Sequence, residues 1–83
     1  MMLTIRYFAS LREALGANEL IDPSGAATVG ALRDVLIARG GRHAEVLARG
    51  RAIRCALNQV MVDESAALPA AAEVAFFPPV TGG

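Results

Sequence analysis

The chain has 83 residues, 54% of them hydrophobic, and eight Lys or Arg balance eight Asp or Glu to give no formal net charge. That length makes one small domain able to bury ~60–65% of its unfolded surface, and the apolar fraction supplies a core without disulfides. Neutrality leaves no electrostatic footprint for nucleic acid, and no stretch has the length of a membrane span or the pattern of a secretory leader. The single Cys55 has no internal partner, which fits a reducing cytoplasm. All eight cationic residues are arginine, so the chain has no ε-amine through which copies of itself could be joined.

Residues 1–8 alternate, with Met1, Leu3, Ile5 and Tyr7 on one face and Met2, Thr4, Arg6 and Phe8 on the other. This predicts a half-buried strand with the odd face inward. Ser10-Leu11-Arg12-Glu13 reads as a capping box opening a short helix that Gly16 closes. Residues 19–22 form a second short strand, ended by Pro23-Ser24-Gly25. Thr28 caps the main helix, which runs to Arg39 and stops at Gly40-Gly41, with Val29, Leu32, Val35 and Leu36 as its apolar stripe. Gly30 costs about 1 kcal/mol against alanine in a helix, which points to close packing or an early-turn position. Residues 42–50 read as a loop with a helical turn at 44–47.

Residues 51–57 alternate again, with Ile53, Cys55 and Leu57 inward. Asn58-Gln59 marks a turn or strand boundary before a short strand at Val60-Met61-Val62. An alanine-rich connection follows, in which Leu68-Pro69 plugs the core, and residues 73–77 make the last strand. There Val74 and Phe76 face inward and Phe77 outward; Val60 and Val62 face inward and Met61 outward; Phe8 is outward. Three large apolar side chains on the side of a sheet that the helix does not cover predict anchors for a partner, each worth roughly 1.5–3 kcal/mol when fully buried. Packing of Phe8 under the first helix and of Met61 at a sheet edge is the alternative. Arg12, next to this patch, either pairs with an acidic group of a partner or is an ordinary helix-surface arginine.

After the last strand come Pro78-Pro79-Val80-Thr81-Gly82-Gly83. Two prolines end sheet pairing and hold the following chain extended, so residues 79–83 form a tail distinct from a domain spanning 1–78, with a reach of roughly 16–18 Å. A Gly-Gly tip lets a carboxylate enter a channel too narrow for any Cβ. Ionised at neutral pH, that carboxylate reacts as an electrophile only after activation, for instance as an acyl-adenylate. His43 lacks a second ligand at telling spacing and reads as a solvated surface histidine, and Cys55 reads as a buried structural thiol. Arg42, Arg49, Arg51 and Arg54 read as a solvated edge. No phosphate loop, carboxylate pair or metal cluster is legible, so catalytic apparatus has to come from elsewhere.

Val74-Ala75-Phe76-Phe77-Pro78-Pro79-Val80-Thr81-Gly82-Gly83, with Tyr7-Phe8-Ala9-Ser10-Leu11-Arg12-Glu13 and Leu57-Asn58-Gln59 in support, resembles the MoaD/ThiS family of ubiquitin-like sulfur carriers, in particular its molybdopterin synthase branch. The resemblance implies an α+β ubiquitin-like β-grasp fold: a mixed sheet of about five strands, first and last parallel at its centre, with one main helix packed on one face. It implies that Gly83 is adenylated and converted to a thiocarboxylate, and that Pro78, Pro79, Val80, Thr81 and Gly82 carry it into a partner's active site. It points to Phe8, Arg12, Met61 and Phe77 as the partner-binding surface. The partners implied are a MoaE-type large subunit, forming a heterotetramer with two copies of each chain, and a MoeB-type adenylyltransferase akin to ubiquitin-activating enzymes. By the same resemblance this chain binds no cofactor or metal itself; ATP is used by the activating partner. Carriers for thiamine or tRNA thiolation, and protein modifiers, remain alternatives.

Overall fold

The computed structural model describes residues 2–23 and 25–78. Its elements follow in the order β1 (Leu3–Tyr7), α1 (Ala9–Leu15), β2 (Asn18–Ile21), α2 (Val29–Ile37), α3 (Gly41–Val46), β3 (Arg54–Leu57), β4 (Val60–Val62) and β5 (Glu73–Phe77). One mixed sheet has the order β2-β1-β5-β3-β4, with β1 and β5 parallel at its centre and the other pairs antiparallel. With α2 laid across one face, this is the ubiquitin-like β-grasp.

Alternation sorts the side chains of the sheet. Leu3, Ile5 and Tyr7 of β1, Ile21 of β2, Cys55 of β3, and Val74 and Phe76 of β5 are buried against Leu11, Val29, Leu32, Leu36 and Leu47. The inward odd face of β1 is therefore as expected, although Met1 lies outside the described residues. Thr28 caps α2, its Oγ1 accepting from the Ala31 N–H at 3.1 Å. The helix ends at Ile37, two residues short of Arg39, and Gly40 and Gly41, with φ of 75° and 57°, turn the chain directly into α3. Both angles are favourable for glycine and strained for other residues.

Four expectations need correction. Ser10 and Glu13 form no capping box. Phe8, held in the sheet by its N–H donating to the Phe76 carbonyl at 3.2 Å, becomes the N-cap, and its carbonyl accepts from Leu11 and Arg12. Val60 is exposed although it shares the inner face with Leu57, because β4 is the outermost strand and the helix layer does not extend over its end. Pro69 is exposed and only Leu68 of that pair packs on the core. Asn58 and Gln59 form a two-residue hairpin turn with φ of 48° and 70°, positive at both centres as a type I′ turn requires.

The fourth correction concerns charge. Arg33 is buried on α2 and its guanidinium donates to the carbonyls of Leu47 (2.8 Å), Ala48 (2.6 Å) and Arg51 (3.1 Å) and to Glu64 (2.6 Å). Arg49, read from sequence as solvated, pairs with Asp34 and Glu64 and donates to the Gly30 carbonyl at 2.8 Å. A planar fork with five donors suits one arginine to closing several carbonyls at once. Gly30 is both early in the helix and tightly packed: its N–H donates to the Glu64 carbonyl at 2.8 Å, and an added Cβ would lie 3.1 Å from Glu64. Burial alone raises the pKa of Glu64, but donation from Arg49 and Arg33 outweighs it and holds the carboxyl below its ordinary value of 4.5. The stability this group contributes is therefore present above pH 4.5 and lost as acid titrates it through the lowered value. Arg33→Ala strands three carbonyls and a carboxylate, so it destabilises the domain by about 3 kcal/mol in urea unfolding, whereas truncating exposed Asp34 costs about 0.5 kcal/mol or less.

Candidate functional site: the uncovered face of the sheet

The register determines which side chains meet on the face opposite α2. Arg6 pairs with Ala75, Ala75 with Ala56, and Ala56 with Met61, giving one row across four strands. The next row toward the chain end holds Phe8, which follows β1, Phe77 and Arg54, the last two paired directly. Phe8 and Phe77 meet edge to face with centroids 5.7 Å apart, and the Arg6 guanidinium lies 5.5 Å from the centroid of the Phe8 ring. Such contacts are worth roughly 0.5–1.5 kcal/mol for the ring pair and 0.5–1 kcal/mol for an exposed cation over a ring. Phe8 and Met61 stay 38% and 53% exposed, and Phe77 is half-buried. Phe8, Met61 and Phe77 thus all point outward, as their parity predicted. Phe8 does not pack beneath α1, and Met61 points from the same face as Phe77.

Pro78 directly follows this cluster. It is half-buried and lines a recess of about 260 Å³ with Ser10, Leu11 and Ile53, which ties the root of the tail to the body. A proline offers no N–H to continue the β5 ladder. Pro79, Val80, Thr81, Gly82 and Gly83 lie outside the described residues, as does the predicted division of the chain at residue 79. Arg12 is exposed on α1, near Phe8 through the backbone bond from its N–H to the Phe8 carbonyl at 3.3 Å, and among the described residues its side chain has no ion pair.

Cys55 is buried, its thiol donates to the Val62 carbonyl at 3.3 Å, and burial first, then nearby Glu64 and Asp63, push its pKa up. It is a buried thiol, as its inward position predicted, and the raised pKa disfavours the nucleophilic thiolate. His43 departs from its solvated reading. Its Nε2 is 2.9 Å from Glu19, its ring packs edge-on to Tyr7, and Glu19 also accepts from the Tyr7 hydroxyl at 2.8 Å and from Arg39 at 2.5 Å. Burial alone raises the pKa of Glu19, yet bonds from His43, Tyr7 and Arg39 lower it overall; burial and the Glu19 bond push that of Tyr7 far up. This cluster ties α3 to β1 and β2 on the helix side, away from the apolar face. The partners lie 12 to 24 residues apart in sequence, a separation without periodic signature. Among the described residues no group of His, Cys, Asp and Glu is arranged to hold a metal, and no helix is long and apolar enough to cross a membrane.

The uncovered face therefore exposes an apolar cluster beside the residue at which the described chain ends. Because the sheet rests on its other side, Met61→Asp changes unfolding stability by about 0.5 kcal/mol or less, while Phe76→Ala on the inner face costs about 3–5 kcal/mol, as chemical denaturation will register.

The sequence profile of the ThiS family matches residues 5–83. The chain is 39% identical over 82 residues to the molybdopterin synthase sulfur carrier subunit of Escherichia coli K12, and 37% identical over 82 residues to that of Haemophilus influenzae; both alignments span 99% of this chain and 100% of the relative. Among solved structures, SAMP1 of Haloferax volcanii superposes with a TM-score of 0.76 at 29% identity, over 100% of both chains. A chain from the complex of subunits 1 and 2 of molybdopterin-converting factor from Helicobacter pylori 26695 superposes with a TM-score of 0.67 at 26% identity, again over 100% of both.

Proposed function

The chain belongs to the ThiS family, and from that membership we propose that it is the sulfur carrier subunit of a molybdopterin synthase. The observation that carries the reading is the placement of Phe8, Phe77 and Met61 on the uncovered face beside Pro78, where the chain leaves the sheet toward Gly82-Gly83. The full-length likeness to two molybdopterin synthase sulfur carrier subunits supports this role among those of the family.

In the proposed cycle the Gly83 carboxylate attacks the α-phosphorus of ATP on a MoeB-type activating enzyme, giving an acyl-adenylate and releasing pyrophosphate. A sulfur nucleophile then displaces AMP, and the glycine ends as a thiocarboxylate. Docking of the apolar face on the MoaE-type large subunit, two of each chain per assembly, brings the tail into that subunit's active site. There the thiocarboxylate sulfur attacks cyclic pyranopterin monophosphate, and water restores the carboxylate. The carrier contributes positioning, which makes an encounter between two solutes effectively intramolecular. Pro78 and Pro79 lower the ordering cost of the arm, otherwise ~1–2 kcal/mol per residue. Acid, base and anion-binding groups belong to the partners, and the cycle runs in the cytoplasm.

The likeness to small archaeal modifier protein 1 of Haloferax volcanii supports a second reading as a protein modifier joined to amines of other proteins. Lacking lysine, this chain would be attached in single copies, not polymers. Appending one alanine after Gly83 separates the sulfur-carrier account from a passive tail. The extended protein keeps its unfolding midpoint and its affinity for the large subunit but yields no dithiolene product in a reconstituted assay. Product formation by the extended chain, with mass spectrometry showing that it was not trimmed, overturns the proposal.

A further inference from the structure

Phe8 is the one member of the outward cluster that lies outside a regular element, between β1 and α1. β2 starts at Asn18, opposite Arg6, so Phe8 has a strand neighbour on the β5 side alone. An aromatic side chain left 38% exposed in such a place ordinarily exchanges among rotamers, and a partner that fixes it has to offset the lost freedom.

Two neighbours remove much of that freedom in advance. Ala9 sets the backbone: its φ of 52° is uncommon for a residue with a Cβ and persists only where the surroundings hold it. That corner lets Phe8 stay extended (φ −128°, ψ 157°), its N–H donating to the Phe76 carbonyl at 3.2 Å, while its own carbonyl already accepts from Leu11 at 3.1 Å and Arg12 at 3.3 Å. Phe8 is thereby tied to the sheet on one side and to the first turn of α1 on the other. Arg6 sets the ring. It lies two residues earlier on the same face, with its guanidinium 5.5 Å from the Phe8 centroid, and Phe77 meets that ring edge to face at 5.7 Å. Glu73, 4.0 Å from Arg6, keeps a carboxylate beside the guanidinium. A chain of contacts from Glu73 through Arg6 and Phe8 to Phe77 runs along the outer face.

We propose that Arg6 and Ala9 are positioning residues, which hold Phe8 in its docking geometry before any partner arrives. The inference rests on the sulfur-carrier reading, in which Phe8 anchors the large subunit, and it adds the residues that prepare that anchor. Both act through Phe8 and need no contact with the partner themselves.

The test combines calorimetric affinity for the large subunit from the same organism, unfolding midpoints, and NMR cross-relaxation between the Phe8 and Phe77 rings. Arg6→Gln removes the cation from an exposed position; it keeps the midpoint, weakens the ring-to-ring signal and lowers affinity about two- to fivefold. Arg6→Lys, which returns a cation, recovers part of that loss. In a Phe8→Leu background, where the π face is gone, Arg6→Gln has no further effect. Ala9→Val, disfavoured at positive φ, lowers affinity about tenfold beyond any loss of folded protein, whereas Ala9→Gly, which accepts the same angle, stays within about twofold of wild type. Wild-type affinity in folded Arg6→Gln overturns the inference. An equal loss in the Phe8→Leu background overturns it too, since Arg6 would then touch the partner directly. If Ala9→Val fails to fold, the Arg6 and Phe8 cycle decides alone. These outcomes leave the sulfur-carrier reading intact, and failure of the wild-type chain to bind the large subunit overturns both.

Discussion

The parallel pairing of β1 with β5 is the constraint on which the remaining structure depends. It aligns Thr4 to Tyr7 with Glu73 to Phe76, joining residues nearly seventy positions apart at the centre of the sheet. On the inner face the register buries Ile5 and Tyr7 with Val74 and Phe76 beneath α2. On the outer face it brings Phe8 against Phe77 and aligns Arg6 with Ala75. A shift of one residue would exchange the two faces, exposing the core set and burying the charged one. Because the strands are parallel, both end on the same side of the molecule, so the chain leaves the sheet next to Phe8. The apolar cluster of the outer face and Pro78 are neighbours through this one pairing.

Charge is segregated around that centre. On the helix side, Arg33, Arg49, Glu64 and Asp34 join α2 to the segments before β3 and after β4, and Glu19 collects Tyr7, Arg39 and His43. No buried side-chain nitrogen or oxygen among the described residues lacks a partner. These networks stiffen the connections where an 83-residue chain has little apolar material left. The opposite face carries the apolar cluster of Phe8, Met61 and Phe77, with Arg6 over the Phe8 ring and 4.0 Å from Glu73 at its rim.

Strand and helix identity were legible because alternation and helical spacing follow directly from backbone geometry. The outward placement of Phe8, Met61 and Phe77 followed from the same parity. Arg33 was missed for an instructive reason. It lies four residues after Val29, on the buried side of α2, but its charge argued for solvent; only the carbonyls of Leu47, Ala48 and Arg51, supplied by a distant segment, make burial favourable. Gly30 gave half of that signal, since a glycine in the first turn implied something close by, and Glu64 is the group it admits. The capping box misled because Ser10 and Glu13 have the right spacing while the sheet claims Phe8 as the cap. Val60 obeyed parity yet remained exposed, since alternation gives the face of a side chain and not whether a helix extends over it. The low exposure of Ala56 and Ala75 carried no signal in sequence, because their setting depends on pairing with residues on β1 and β4 far away in the chain.

The central claim is that the reactive group is the chain's own terminal carboxyl. Intact-mass analysis after incubation with ATP, the activating enzyme and a sulfur source tests it most directly. The account predicts a gain equal to the replacement of one oxygen by sulfur, confined by fragmentation to Gly83 and dependent on ATP. An unchanged mass under conditions that consume ATP, or sulfur recovered on Cys55 instead, would contradict it.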